Sequence, residues 1–216
     1  MSELVLVAAS GLAREVLATV RSGGQYDIAG FLDDEVFGID VDGAPVLGPI
    51  DDVVKYTNAF VLVCLESGRA RKIVVDRLAT LGITPTRYAT VIDTSVRMPE
   101  GSRVGRGSIL LQNVSLATSV TLGSHVVAMP GVTFRHDDDV ADFATFAAGT
   151  SLGGGVRIGR AASLGMNSSV RERRSIGSYA TVGMGAAVMS NVPEGETWVG
   201  VPAHAVDGGD HNRAFA

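Results

Sequence analysis

From Val104 to Val188 an apolar residue recurs every six positions: Val104, Leu110, Leu116, Leu122, Ala128, Phe134, Val140, Phe146, Leu152, Ile158, Leu164, Val170, Ile176, Val182 and Val188. The register never slips, and Ile92 and Met98 extend it upstream. Gly follows the apolar residue at 105, 123, 153, 159, 165, 177 and 183. The position four after it is mostly small or β-branched, as at Ser108, Val114, Val126, Ala144, Val156 and Ala180. A period of six suits neither an α-helix nor an alternating strand. It is the mark of a parallel β-helix built from hexapeptide rungs. The aliphatic residue points into a prism-shaped core, and the small residue fills the space beside it. Gly and Asn stand at corners where a β-carbon would clash. Three hexads make a coil of eighteen residues. Residues eighteen apart therefore stack at the strand spacing of roughly 4.8 Å. Each coil buries its core only against its neighbours.

The chain up to residue 88 reads differently. Leu4–Ala8, Ile28–Leu32 and Phe60–Leu65 are continuous apolar runs, as buried parallel strands are. Val46–Pro49 is a short edge segment. Between the runs lie helical spacings. Leu12, Val16 and Val20 face inward on a first helix. Ile50–Tyr56 is a short helix with Asp51 and Asp52 in its first turn. Arg69–Leu81 is a basic amphipathic helix with Ile73, Val74, Leu78 and Leu81 inward, and Gly82 stops it. Strands alternating with helices predict a small parallel α/β domain. The expected division is residues 1–88 for that domain, 89–206 for the β-helix and 207–216 for a polar, frayed tail.

Composition narrows the function classes. The net charge of −5 argues against a nucleic-acid or acidic-membrane partner. Cys64 is the single cysteine, so no disulfide framework and no cysteine-based metal site is expected. The run from Leu4 to Ala9 is too short for a signal or membrane helix, so a cytoplasmic protein is expected.

Ligands of parallel α/β domains sit at the carboxyl ends of strands. That places Ser10, Gly11 and Leu12 beside Asp33 and Asp34 at one crevice. Gly11 and Asp33 are 22 residues apart, near the glycine-to-acid spacing of a nucleotide-binding unit, although the turn is not GxGxxG. In the coils the residue that draws attention is His136. It is followed by Asp137, Asp138 and Asp139 and lies near a corner, outside the apolar column. An adjacent carboxylate orients an imidazole and makes it a better general base. One coil on, Gly154 within Gly153–Gly155 leaves room for a ligand and offers a backbone N–H to an oxyanion. Asp138 and Arg174, two coils apart, both occupy inward small-residue positions. Either they meet in an ion pair or they make no contact. His125, His204 and His211 read as surface residues, Met166 and Met184 as packing. Arg171-Glu172-Arg173-Arg174 reads as a solvated corner that phosphates would find attractive.

The rungs, His136-Asp137, Leu164-Gly165-Met166-Asn167-Ser168 and Val199-Gly200-Val201-Pro202-Ala203 together resemble the sialic acid O-acetyltransferase-like sugar acetyltransferases, which include UDP-4-amino-sugar N-acetyltransferases. The resemblance implies an α/β N-terminal Rossmann-like domain plus an all-β left-handed parallel β-helix, assembled as a homotrimer. It implies acetyl-CoA as co-substrate and a nucleotide-linked amino sugar as acceptor. It assigns His136 as base, Asp137 as its partner acid and the Gly154 N–H to the oxyanion. It places Thr145, Gly165, Met166 and Met184 along the coenzyme, and Ser10, Gly11, Leu12, Asp33 and Asp34 at the sugar nucleotide. No metal is expected. The chain departs from the family at Leu12-Ala13, Leu65, Thr145, Arg135 and Asp138. The expected reaction is N-acetylation; alternatives are O-acetylation of sialic acid or another sugar hydroxyl, and a non-catalytic scaffold trimer.

Overall fold

The computed structural model describes residues 1–36 and 38–206. The expected tail, and with it His211, lies outside the described residues. The chain opens with β1 (Ser2–Val7), α1 (Gly11–Gly23), β2 (Tyr26–Leu32), β3 (Asp40–Val41), β4 (Ala44–Gly48), a 3-10 helix (Ile50–Lys55), β5 (Phe60–Val63) and α2 (Gly68–Thr80). The five strands form one sheet in the order β3-β4-β2-β1-β5, parallel except for the β3–β4 pair. Leu4 to Val7 of β1, an interior strand, are fully buried, which is why this stretch is apolar without alternation. Ser10 caps α1 by accepting from the Ala13 N–H, and Gly24 ends it in the left-handed conformation.

From Val91 onward, short strands, nearly all of two residues, stack into three sheets of eight, five and five strands, parallel except for the last pair, Thr197–Val199 with His204–Ala205. Partners are eighteen residues apart, as in Thr121↔Asp139, Val127↔Thr145 and Ser151↔Ser169. The six-residue apolar column forms one continuous core from Leu110 to Val188. The corners add a refinement. Every sixth residue from 101 to 185 has a positive φ, three places after the inward aliphatic. Gly fills six of these sites between 101 and 185, and Asn113, Ser119, His125, Asp137, Phe143, Ala161, Asn167, Arg173 and Tyr179 the others. The glycines directly after the aliphatic residue serve a different end. A Cβ on Gly159 would lie 2.3 Å from the Ser178 nitrogen of the next coil. Those glycines permit the close stacking of rungs.

The two parts share a core: Leu4, Leu6 and Leu12 pack in one cluster with Ile109, Leu111 and Val127 of the coils. The N-terminal domain docks on one edge of the prism, the edge that carries His125, Phe143 and Tyr179. Two expectations change here. Ile73 does not face inward; it is 68% exposed, because α2 presents Gly68, Arg71 and Leu78 to the protein instead. A Cβ on Gly68 would lie 2.1 Å from the Phe143 carbonyl oxygen, so the first turn of α2 touches the coil backbone. Arg71 is completely buried. It donates to the carbonyls of Leu65 and Glu66, to those of His125, Phe143 and Ala144, and to the Thr145 hydroxyl. No carboxylate pairs with it among the described residues, and burial lowers its pKa to about 10.

His125 is the second correction. It is buried, stacked on Phe143 at 5.0 Å and edge-on to Tyr88 at 4.6 Å. Burial, then the neighbouring Arg71 charge, lowers its pKa to about 4. The folded state therefore resists a proton that the unfolded chain takes up near the ordinary value of about 6.5. Its contribution is full above that value and is lost as pH falls toward 4, by about 3 kcal/mol in total. The thermal midpoint is expected to fall between pH 6.5 and 4.5, and less steeply in His125→Phe, which keeps the aromatic stack. Equal slopes for both proteins would remove His125 from the account.

Candidate active site

The corner between Phe134 and Asp139 gathers the candidate catalytic side chains. Asp137 occupies the left-handed site of its hexad with φ +64°, a conformation Asp tolerates better than most residues. That turn sets its carboxylate beside the preceding ring, and Asp137 Oδ2 lies 2.9 Å from His136 Nδ1. Both side chains are open, 56% and 67% exposed. With Nδ1–H donated to the carboxylate, Nε2 is left as the proton acceptor. Nε2 is directed at Gly154 one coil on, where a Cβ would lie only 2.5 Å from Nε2 and from Cε1. The Gly154 carbonyl accepts from Arg173 N and the His136 carbonyl accepts from Gly155 N, at 3.0 and 2.9 Å. The Gly154 N–H has no backbone acceptor among the described residues. A base and a free N–H donor therefore share one exposed corner, an arrangement suited to acyl transfer.

Asp138 answers the question of its inward position. It makes no ion pair with Arg174. Its side chain is buried, and it accepts from Arg135 N at 2.7 Å and Val156 N at 2.8 Å. Desolvation, the largest influence, raises its pKa to about 6 against the pull of those two N–H groups. Asp138 thus braces the His136 corner to the next coil.

A methyl group at Gly154 tests the geometry. Gly154 lacks a positive φ, so Ala fits its backbone. The clash is with the exposed His136 ring, which can swing away. Gly154→Ala is expected to keep its thermal midpoint and lose about 100-fold in turnover, since a shift of about 1 Å at a reacting group costs that much. Turnover within threefold of the wild type would show that Nε2 does not work against Gly154.

The other predicted residues are placed as follows. Ser10 donates to the Cys64 carbonyl at 2.6 Å while capping α1. Gly11 is open, with nothing near its Cα. Leu12 is buried and packs into the core, so its side chain cannot line a crevice. Asp33 accepts from Ala9 N, Glu35 N and Val36 N, which ties the β1 and β2 ends together. Asp34 is committed to Arg77 and Ile50 N. The Arg77 guanidinium holds its carboxyl below the usual range. Thr145 is buried, donates to the Glu66 carbonyl and accepts from Arg71, so its hydroxyl is a strut between domains. Met166 and Met184 are exposed, at 49% and 71%, and do not pack in the core. Gly165 lies flat against the next coil, its Cβ position 2.5 Å from the Met184 nitrogen. Within one chain the crevice and the His136 corner are not brought together. The N-terminal domain docks on the edge of His125 and Phe143, and His136 lies on the next edge round the prism.

The described residues thus form a small parallel α/β domain docked on a β-helix of hexapeptide rungs with one His–Asp corner. Residues 3–78 match the family PglD N-terminal domain. The acetyltransferase domain of PglB from Neisseria gonorrhoeae FA1090, solved in complex with acetyl coenzyme A, is 25% identical with a TM-score of 0.86, over 94% of this chain and 98% of that one. A variant of perosamine N-acetyltransferase from Caulobacter crescentus, solved with CoA and GDP-perosamine, shares the fold at 22% identity and a TM-score of 0.88, over 97% and 98% of the two chains. The acyl-[acyl-carrier-protein]–UDP-N-acetylglucosamine O-acyltransferase of Pseudomonas entomophila (strain L48) is 33% identical over 121 residues, 56% of this chain and 44% of that protein. The chain thus spans less than half the length of this curated relative. All three are named acyl- or acetyltransferases, and the family resemblance read from the residues is borne out. No helix among the described residues is long and apolar enough to cross a membrane.

Proposed function

We propose that the protein is an acyl-CoA-dependent N-acetyltransferase acting on the amine of a nucleotide-linked amino sugar. The observation that carries this reading is the His136–Asp137 pair at 2.9 Å with its ring against Gly154. The neutral amine attacks the thioester carbonyl, forming the C–N bond. His136 Nε2 takes the amine proton, Asp137 holds the ring and balances its charge, and the Gly154 N–H receives the oxyanion. Collapse breaks the C–S bond, and the proton on Nε2 passes to the departing thiolate. No covalent enzyme intermediate is required. Cys64 is buried, and desolvation pushes its thiol pKa up, away from a reactive thiolate.

The acetyl coenzyme A bound to the gonococcal domain and the GDP-perosamine bound to the Caulobacter enzyme support the two substrate classes. The open turn at Ser10–Gly11 beside Asp33 supports a nucleotide at the strand ends. The separation of crevice and dyad within one chain supports a homotrimer, in which a second copy supplies the missing half. The domain division at 88 and 89 belongs to the same proposal, since Tyr88 still bridges to Val61 while Val91 pairs with Ile109 of the coils. The test is thiol release from acetyl-CoA across nucleotide-linked 3-amino and 4-amino sugars, with sialic acid as the hydroxyl control. Release with one amino sugar is the expected result. Release with the hydroxyl control alone would replace N-acetylation by O-acetylation.

A further inference from the structure

We propose that Arg173 and Arg174, helped by Arg171, form a phosphoryl-anion subsite one coil beyond Gly154, on the same edge of the prism as His136. This rests on the acyl-transfer reading of that edge and deepens it.

The stacking places the residues. Positions eighteen apart superimpose, so the column through His136 and Gly154 continues to Glu172, and that through Asp137 and Gly155 continues to Arg173. The column through Asp138 and Val156 ends at Arg174. A Cβ on Gly155 would lie 3.7 Å from Arg173 Cγ, so the triglycine rung leaves a shelf between the dyad and the arginines. Two coils separate His136 from the arginines, roughly 10 Å at the usual strand spacing. An extended guanidinium adds further reach.

Charge singles the place out. The chain has a net charge of −5, yet residues 153–175 hold five arginines, at 157, 160, 171, 173 and 174, against one carboxylate, Glu172. Arg160 pairs with Asp142 on another corner, and Arg171 pairs with Glu172. Arg157, Arg173 and Arg174 have no carboxylate at ion-pair distance among the described residues. Arg173 stands in the left-handed backbone site at φ +59°, which an Arg adopts at a cost. Arg174 occupies a position that is Val156 in the preceding coil, and Asp138 and Val120 in the two before it. Its Nε is buried and has no hydrogen-bond partner. The buried Nε fixes the stem in the wall, and an arriving phosphoryl oxygen would meet the outer N–H groups of the same guanidinium with charge-assisted bonds. A merely solvated corner would put no donor out of water's reach.

Both substrates of the proposed reaction carry phosphates, so the experiment separates the sources. Calorimetry measures CoA, pantetheine, UDP and GDP binding to the wild type, to Arg173→Ala and to Arg173→Ala/Arg174→Gln, each checked by thermal melting. Arg173 is exposed, so its single variant keeps the test valid even where the double variant folds poorly. The expected result is a Kd for CoA raised about tenfold in the double variant and about threefold in the single, as lost charge-assisted contacts produce. Pantetheine affinity should move less than twofold. A rise confined to UDP or GDP would assign the phosphates to the acceptor. Changes under twofold for every phosphate-bearing ligand would overturn the subsite. The wild type failing to bind CoA while the arginine variants weaken nucleotide binding would overturn the acyl-donor reading and leave the subsite standing.

Discussion

His136→Ala is expected to lower turnover by a factor of about 10²–10⁴ while leaving assembly and melting unchanged, as loss of a positioned general base does. The side chain is exposed, paired with Asp137 and set against Gly154, so its removal opens no core cavity. Asp137→Asn separates orientation from charge. The amide can still reach Nδ1 but stabilises the wrong tautomer, so a smaller loss is expected. KM for acetyl-CoA should stay within a few-fold in both variants. Thiol release undiminished in His136→Ala would remove the dyad from the chemistry and leave a binding scaffold.

Much of this molecule was legible beforehand because one constraint repeats. A solenoid core admits an aliphatic side chain at one position in six, and fifteen such positions in phase leave little other architecture to consider. His136 was legible for the same reason: in a regular wall, a polar cluster at a corner is an irregularity that packing does not explain. What escaped were contacts across the domain junction. His125 lies in the same corner class as Asp137, and nothing local distinguishes a corner that faces water from one that another domain covers. Sequence position places Leu12 and Thr145 near ligands, but the docking of the N-terminal domain commits one to the core and the other to Arg71. Asp138 carries its own signal. A carboxylate in an inward small-residue site must be satisfied by backbone donors or an ion pair, and the next coil offers N–H groups at that height. Arg71 left a trace too. It falls at the spacing of Gly68, Val74 and Leu78, on the buried face of α2, where a charge announces a demand for acceptors.

That demand makes Arg71→Met the substitution with the largest expected effect on stability. The guanidinium gathers acceptors from two places that no other side chain joins so densely: the loop after β5, at Leu65 and Glu66, and the coil corners at His125, Phe143, Ala144 and Thr145. Methionine matches much of the buried volume and avoids desolvating a charge, which offsets part of the loss. It supplies no donor, however, and strands several buried carbonyls at about 1–3 kcal/mol for each that finds no other partner. The net expectation is a loss of about 3–5 kcal/mol, at the upper end for single substitutions. For a chain of this size that corresponds to a fall in Tm of about 10–15 °C. Arg71→Lys restores charge with one ammonium that reaches fewer acceptors, and should fall between. Thr145→Val removes a single acceptor and its bond to Glu66 and should cost least. The order Met, Lys, Val from most to least damaging follows from counting stranded acceptors. A Tm for Arg71→Met within 2 °C of the wild type would mean that the carbonyls are served by water, and that the shared apolar core from Leu6 to Val127 alone holds the two domains together.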